Sequence, residues 1–199
     1  MTDLDNIGFE LDDASSELEK AIKRFEKDTG ALFANGAPIY SPEIHNERLR
    51  AAHAALNNQR EFLREQVETA KASAEAMHAR AMRNPYTWLS PDELQRAHLL
   101  APFVAEDIRA GGAAYLAQVD AGVNFGRLEL ERASAWLHHR AAKAAGVDAP
   151  FIERAAWPDS AVAAEAAAHR ARKVLDAIRV SDPLHNVKQL QRTGFNVTY

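Results

Sequence analysis

Between Pro42 and Pro85 the chain carries neither glycine nor proline, and that stretch constrains everything around it. Ser41 offers a cap, Pro42 stands at the first helical position where proline is tolerated, and Glu43 places an acid beside the positive end of the helix dipole. The spacing predicts one helix from Ser41 to Arg83, roughly 60 Å long at ~1.5 Å per residue. Leu49, Leu56, Leu63, Ala70 and Met77 recur every seven residues along it, which is one edge of a coiled-coil seam. A rod of that length cannot enclose a core by itself, so it has to lie along other helices. Its companion seam positions begin with Ala52, pass through Gln59 and Gln66, and shift to Val67, Ala74 and Ala81. The two amides predict that the middle of the rod packs least well.

A second seam precedes it. Leu4, Ile7, Leu11, Ala14, Leu18, Ala21 and Phe25 alternate spacings of three and four, and charged residues such as Glu17, Glu19, Lys20, Lys23 and Arg24 fill the faces between. A stripe this narrow suits a two- or three-helix coil better than a broad globular face. Gly30 reads as its C-terminal stop, and Ala31 to Tyr40, with Asn35-Gly36 and Pro38, as a loop anchored by Leu32, Phe33, Ile39 and Tyr40. The two helices, about 3–28 and 42–83, form a helical hairpin or pair between chains; the self-association seam is Leu4, Ile7, Leu11, Leu18, Phe25, Leu49, Leu56, Leu63 and Met77.

Asn84-Pro85-Tyr86-Thr87-Trp88-Leu89 breaks the rod, and Ser90-Pro91-Asp92-Glu93 opens another helix through a capping box. Pro102 is expected to kink or split that helix, and Gly111-Gly112 to interrupt it again. A further helix is expected from Ala113 to Ala145, with Gly122 and Gly126 allowing close approach of another helix and Gly146 ending it. Asp148 to Pro158 reads as a corner, and Asp159 or Ser160 caps an alanine-rich helix with Val162, Ala166, Val174 and Ile178 inward. The fold class is all-α: a coiled-coil hairpin over 1–83, a helical bundle over 84–180, and a tail over 181–199. In that tail Lys188, Leu190, Arg192 and Phe195 are candidates for docking a partner.

Composition narrows the function. A net charge of −4 over 199 residues, with nine acids against four bases before Ala31 and 19 against 20 after it, provides no basic face for nucleic acid. The acidic start is not a signal peptide and no apolar run reaches the ~20 residues that span a bilayer, so a soluble, non-secreted protein is expected. Without cysteine there is no disulfide, thiolate metal site or cysteine nucleophile. Glu75-Ala76-Met77-His78 matches half of the Glu-x-x-His pair that di-iron bundles need, but no second copy occurs; Glu165 and His169 are four apart. His138 and His139, about 100° apart on a helix, cannot easily share a metal, and Gly111-Gly112 lacks the rest of a phosphate loop. Trp88, Trp136 and Trp157 read as core anchors at corners. No catalytic residue, cofactor or metal is expected.

Ala37-Pro38-Ile39-Tyr40-Ser41-Pro42-Glu43-Ile44-His45-Asn46-Glu47-Arg48, Tyr86-Thr87-Trp88-Leu89-Ser90-Pro91-Asp92-Glu93-Leu94 and Pro102-Phe103-Val104-Ala105-Glu106-Asp107 give the region 37–140 its texture. It resembles the small alanine-rich helical proteins of tailed-bacteriophage head-morphogenesis gene clusters, some of them scaffolding proteins. That resemblance implies a non-enzymatic role in virion assembly, through self-association and docking on a capsid or portal protein, in the bacterial cytoplasm or the virion. It differs from many scaffolds in its well-marked caps and modest charge, which leaves room for a bound minor virion component. The rivals are a bacterial adaptor or granule-surface-coating protein and, more remotely, a metal-binding four-helix-bundle enzyme. A narrow seam argues against the first, which would need a wide apolar face with a basic rim.

Overall fold

The computed structural model describes residues 3–35, 37–121 and 131–181, and among these described residues six α-helices make up most of the structure. They are α1 (Asp3–Gly30), α2 (Pro42–Met82), α3 (Pro91–Asp120), α4 (Arg132–Ala145), α5 (Pro150–Ala156) and α6 (Asp159–Val180). A two-residue antiparallel ribbon, β1 (Phe33–Ala34) with β2 (Ala37–Pro38), turns the chain between α1 and α2, aided by Asn35 at φ 49°. Among the described residues no helix is long and apolar enough to cross a membrane. The all-α class read from the periodicity is what the chain adopts.

The chain divides into two compact units: 3–76 with 164–181, and 77–163. In the first, three heptad-spaced stripes are buried. Ile7, Leu11, Ala14 and Leu18 come from α1, Leu56, Leu63, Val67, Ala70 and Ala74 from α2, and Ala164, Ala168, Ala171, Val174 and Ile178 from α6. Contacts fix the directions. Phe25 meets His53 edge-on at 5.0 Å, so α1 and α2 run antiparallel through their turn. Arg172 reaches Glu75 at 2.9 Å while Arg60 donates to the Ile178 carbonyl at 2.9 Å, so α6 runs antiparallel to α2. Arg170 also pairs with Asp12 of α1.

Two expectations are corrected here. Among the described residues the bundle expected over 84–180 gives up most of α6, which completes the α1–α2 layer, while the tail expected over 181–199 lies outside them apart from Ser181. The inner line of α6 is also different: Val162 is 42 % exposed and Ala166 is exposed, while Ala161, Ala164, Ala168 and Ala171 are buried together with Val174 and Ile178. A row of residues four apart drifts about 40° per step, so 162 and 178 fall on different faces over sixteen residues. The alternating three–four spacing through the small alanines holds one face.

The second unit is built from helix ends. Ser90 Oγ accepts from the Glu93 N–H at 3.3 Å and Glu93 accepts from the Ser90 N–H at 2.8 Å, which is the expected capping box at the start of α3. Pro102 does not break α3. Its exposed ring is carried by helical backbone, and the departure comes at Gly112 (φ 57°, ψ −145°). The reversal there draws Tyr115 onto Gly111, where a Cβ would lie 2.5 Å from the Tyr115 Cβ. The single helix expected over 113–145 is two helices: α3 ends at Asp120 and α4 begins at Arg132, while Gly122, Gly126 and the rest of 122–130 lie outside the described residues. Gly146, at φ 67°, closes α4 in the left-handed conformation that glycine tolerates best. Trp88 and Trp136 are buried with Leu89, Ala97, Ala133 and Ala156, and Trp157 packs half-buried beside them. Trp136 Nε1 donates to the Pro85 carbonyl at 2.8 Å, so two of the three tryptophans are core anchors and one also ties the 85–87 turn.

Candidate docking groove

The buried seam of the first unit is not uniform along its length. Leu11 and Leu63 are fully buried, and Ile7, Leu18 and Leu56 nearly so, whereas Leu4, Phe25 and Leu49 are half-buried. Met77, also half-buried, falls in the second unit. Toward the loop, α6 stops short of the start of α2. Arg60 of α2 donates to the carbonyls of Ile178 and Arg179, and α6 ends one residue later at Val180.

Between α1 and α2 lies a groove of about 200 Å³. Its floor is Ala21, Phe25, Ala52, Ala55, Leu56 and Gln59; Glu17, Lys20, Arg24 and Asp28 rim it along α1. The floor is small-residue and apolar because the heptad continues where alanine replaces leucine. Gln59, one of the two seam amides, is half-buried in it, while Gln66 is exposed. The rim charges pair among themselves: Lys20 with Glu17 at 2.6 Å and Arg24 with Asp28 at 3.8 Å. The hydrogen bond from Lys20 to Glu17, with that carboxylate's charge, holds the ammonium above its ordinary value. These pairs are solvent-exposed and contribute little to stability. The groove therefore presents an apolar floor beside a rim of self-paired charges along α1.

In the second unit, a hollow of about 400 Å³ is lined by Met82, Trp88, His139, Lys143, Asp148 and Glu153 among others. The His139 ring stacks on Trp88 with centroids 5.3 Å apart, and burial lowers its pKa, partly opposed by Glu153 and reinforced by Lys143. His138 is buried beside it. The Ser134 carbonyl at 2.8 Å can only accept, so His138 Nδ1 carries the proton and Nε2 accepts from Tyr115 Oη at 3.1 Å. Tyr115 is held above its ordinary pKa by burial and by Asp107, which its hydroxyl approaches at 3.5 Å. His138 thus has both ring nitrogens engaged, Nδ1 within α4 and Nε2 tying α4 to α3. Glu75 is occupied by Arg172 and Lys71, while His78 packs edge-on against Trp157 at 4.9 Å. Among the described residues no group of three or more metal-binding side chains converges.

The docking residues Lys188, Leu190, Arg192 and Phe195 lie outside the described residues. The alanine stripe of α6 was missed in the sequence because its members are individually unremarkable, and only the three–four spacing from Ala161 to Ile178 betrays it. No family model, curated protein or solved structure matches the chain.

Proposed function

We propose that the chain is a non-enzymatic assembly protein that acts through helix–helix contacts, with itself and with a larger structural protein. The carrying observation is the groove between α1 and α2, an open surface floored by Ala21, Phe25, Ala52, Ala55 and Leu56 that adjoins the buried heptad stripes. Burial of a docked helix there is driven by apolar area, at roughly 25 cal/mol per Å², with the paired rims contributing little. Coiled-coil self-association along Phe25, Leu49 and Ala52 is the mode such a surface supports. The virion setting, with a capsid or portal protein as the larger partner, rests on the resemblance of residues 37–140 to phage head-morphogenesis proteins. Occupation of Glu75 by two cations weighs against the di-iron reading.

Light scattering over a range of concentrations, for the full chain and for Ala52→Asp, tests the proposal. An oligomer that Ala52→Asp weakens at least tenfold is expected. A wild-type chain that stays monomeric at every concentration, and that retains no structural partner in a binding assay, would sink it.

A further inference from the structure

The hollow in the second unit has a volume of about 400 Å³, within the range of roughly 300–1,000 Å³ that holds small molecules. Lys143, Asp148 and Glu153 line it, and among the described residues none of the three makes an ion pair or a side-chain hydrogen bond. Elsewhere in this unit Arg96 holds Glu131 at 3.1 Å and Arg132 holds Glu93 at 2.6 Å. Helix ends put the open charges where they are. Lys143 stands in the last turn of α4 and Glu153 in the first turn of α5, each where the helix dipole favours its sign. The dipoles settle position without supplying a partner. His139 adds a neutral ring: burial lowers its pKa, with Glu153 opposing and Lys143 reinforcing, so both charged groups act on the same imidazole. Trp88 stacks on that ring with centroids 5.3 Å apart, and the His139 nitrogens make no hydrogen bond among the described residues.

We propose that this hollow is a binding site for a basic α-amino acid, arginine or lysine, whose charges are the inverse of its own. Two carboxylates and one ammonium line the hollow; the ligand brings two cations and one carboxylate. The ligand carboxylate pairs with Lys143, and its α-ammonium and side-chain cation are taken by Asp148 and Glu153. Its methylene stem meets the apolar part of the wall, Met82 and Val147. A simple anion leaves both acids uncompensated, and an amine without a carboxylate is repelled by Lys143. Arginine gains further, because its planar guanidinium takes a carboxylate bidentately and stacks on aromatic faces. Lys143 and Asp148 are exposed and Glu153 half-buried, so each pair is weak by itself and binding depends on all three together.

Isothermal titration calorimetry of the full chain tests this with three probes: L-arginine, agmatine, which lacks its carboxylate, and L-citrulline, its isostere with an uncharged side chain. Saturable binding of one L-arginine per chain is expected, with agmatine and L-citrulline each weaker by about fivefold or more. Lys143→Met is expected to weaken L-arginine by about fivefold or more and to leave agmatine no weaker; Glu153→Gln is expected to weaken L-arginine to a similar degree. Neither side chain has a partner to lose, and unchanged far-ultraviolet circular dichroism verifies folding. Glu106→Gln, at an exposed acid on α3, is the control. No saturable binding, agmatine or L-citrulline bound as tightly as L-arginine, Lys143→Met without effect, or an equal loss from Glu106→Gln would overturn the proposal. The hollow belongs to the second unit and the α1–α2 groove to the first, so the light-scattering outcome bears on the assembly reading alone.

Discussion

Leu63→Ala offers the sharpest check on the seam, because its neighbour in sequence supplies the control. Leu63 is 1 % exposed at the centre of the first unit, while Phe62, the larger side chain, is 55 % exposed. Removing the isopropyl group beyond Cβ deletes about three methylene equivalents, near 2.4 kcal/mol at ~0.8 kcal/mol each. The cavity left among helices that relax only partly brings the expected cost to about 3–4 kcal/mol. Phe62→Ala removes more carbon but from a half-solvated site, and is expected to cost under ~1 kcal/mol. The assay is urea denaturation followed by far-ultraviolet circular dichroism. With a slope near ~1.5 kcal/mol per molar, Leu63→Ala lowers the midpoint by about 2 M and Phe62→Ala by about 0.5 M. All three tryptophans lie in the second unit, so their fluorescence follows that unit separately and a transition of the first unit is not mistaken for it. If Phe62→Ala costs as much as Leu63→Ala, the register of α2 assigned here is wrong and the buried stripe lies elsewhere on the helix.

Other consequences follow from the second unit. Gly111→Ala puts a methyl 2.5 Å from the Tyr115 Cβ, a backbone-anchored atom that cannot swing away, so thermal melts should show a loss of about 1–3 kcal/mol. Ser90→Ala removes one arm of the capping box and is expected to cost about 1 kcal/mol in the same melts, with Ser90→Asp restoring most of it. Burial opposes ionisation of Glu93, but hydrogen bonds from Ser90 and the Arg132 guanidinium outweigh it and hold the carboxyl below its ordinary value near 4.5. The stability it contributes is therefore complete above that ordinary value and is lost as pH falls through the folded one. Glu93→Gln should flatten the dependence of the melting temperature on pH below about 4.5. Burial against Trp88 lowers the pKa of His139, so the unfolded chain binds that proton first; stability of this unit is expected to fall as pH drops below 6.5 and His139→Gln to remove part of that slope.

The elements legible in the sequence were those whose signal is local. The seam from Ile7 to Leu18, the unbroken run to Met82, and the Ser90–Glu93 box each depend on spacing within one helix, and each appears where the spacing puts it. Pro102 misled because a proline on the exposed side of a helix costs a hydrogen bond without forcing the chain apart, whereas Gly112 permits dihedrals that other residues resist. What could not be read was long-range. Nothing in residues 159–180 states that they belong with α1 and α2; that follows from pairings such as Arg172–Glu75 and Arg60 with Ile178, more than a hundred positions apart in the latter case. The groove was half legible, since Gln59 stands out as an amide within the seam, but its openness depends on how α1 and α2 sit side by side, which no local spacing states.

The alanine face of α6 has a consequence for the order in which the first unit comes apart. A buried alanine yields much less transfer free energy than a leucine, so Ala164, Ala168 and Ala171 set the spacing between helices without gripping them. The hold on α6 falls to Val174, Ile178 and the exposed ion pairs at Asp12 and Glu75, which salt screens. Amide exchange should accordingly release α6 before the central turns of α1 and α2, and earlier still at raised ionic strength. The protein would then carry a built-in weakest bond: a helix that can lift from a leucine-lined pair while the pair stays folded beneath it.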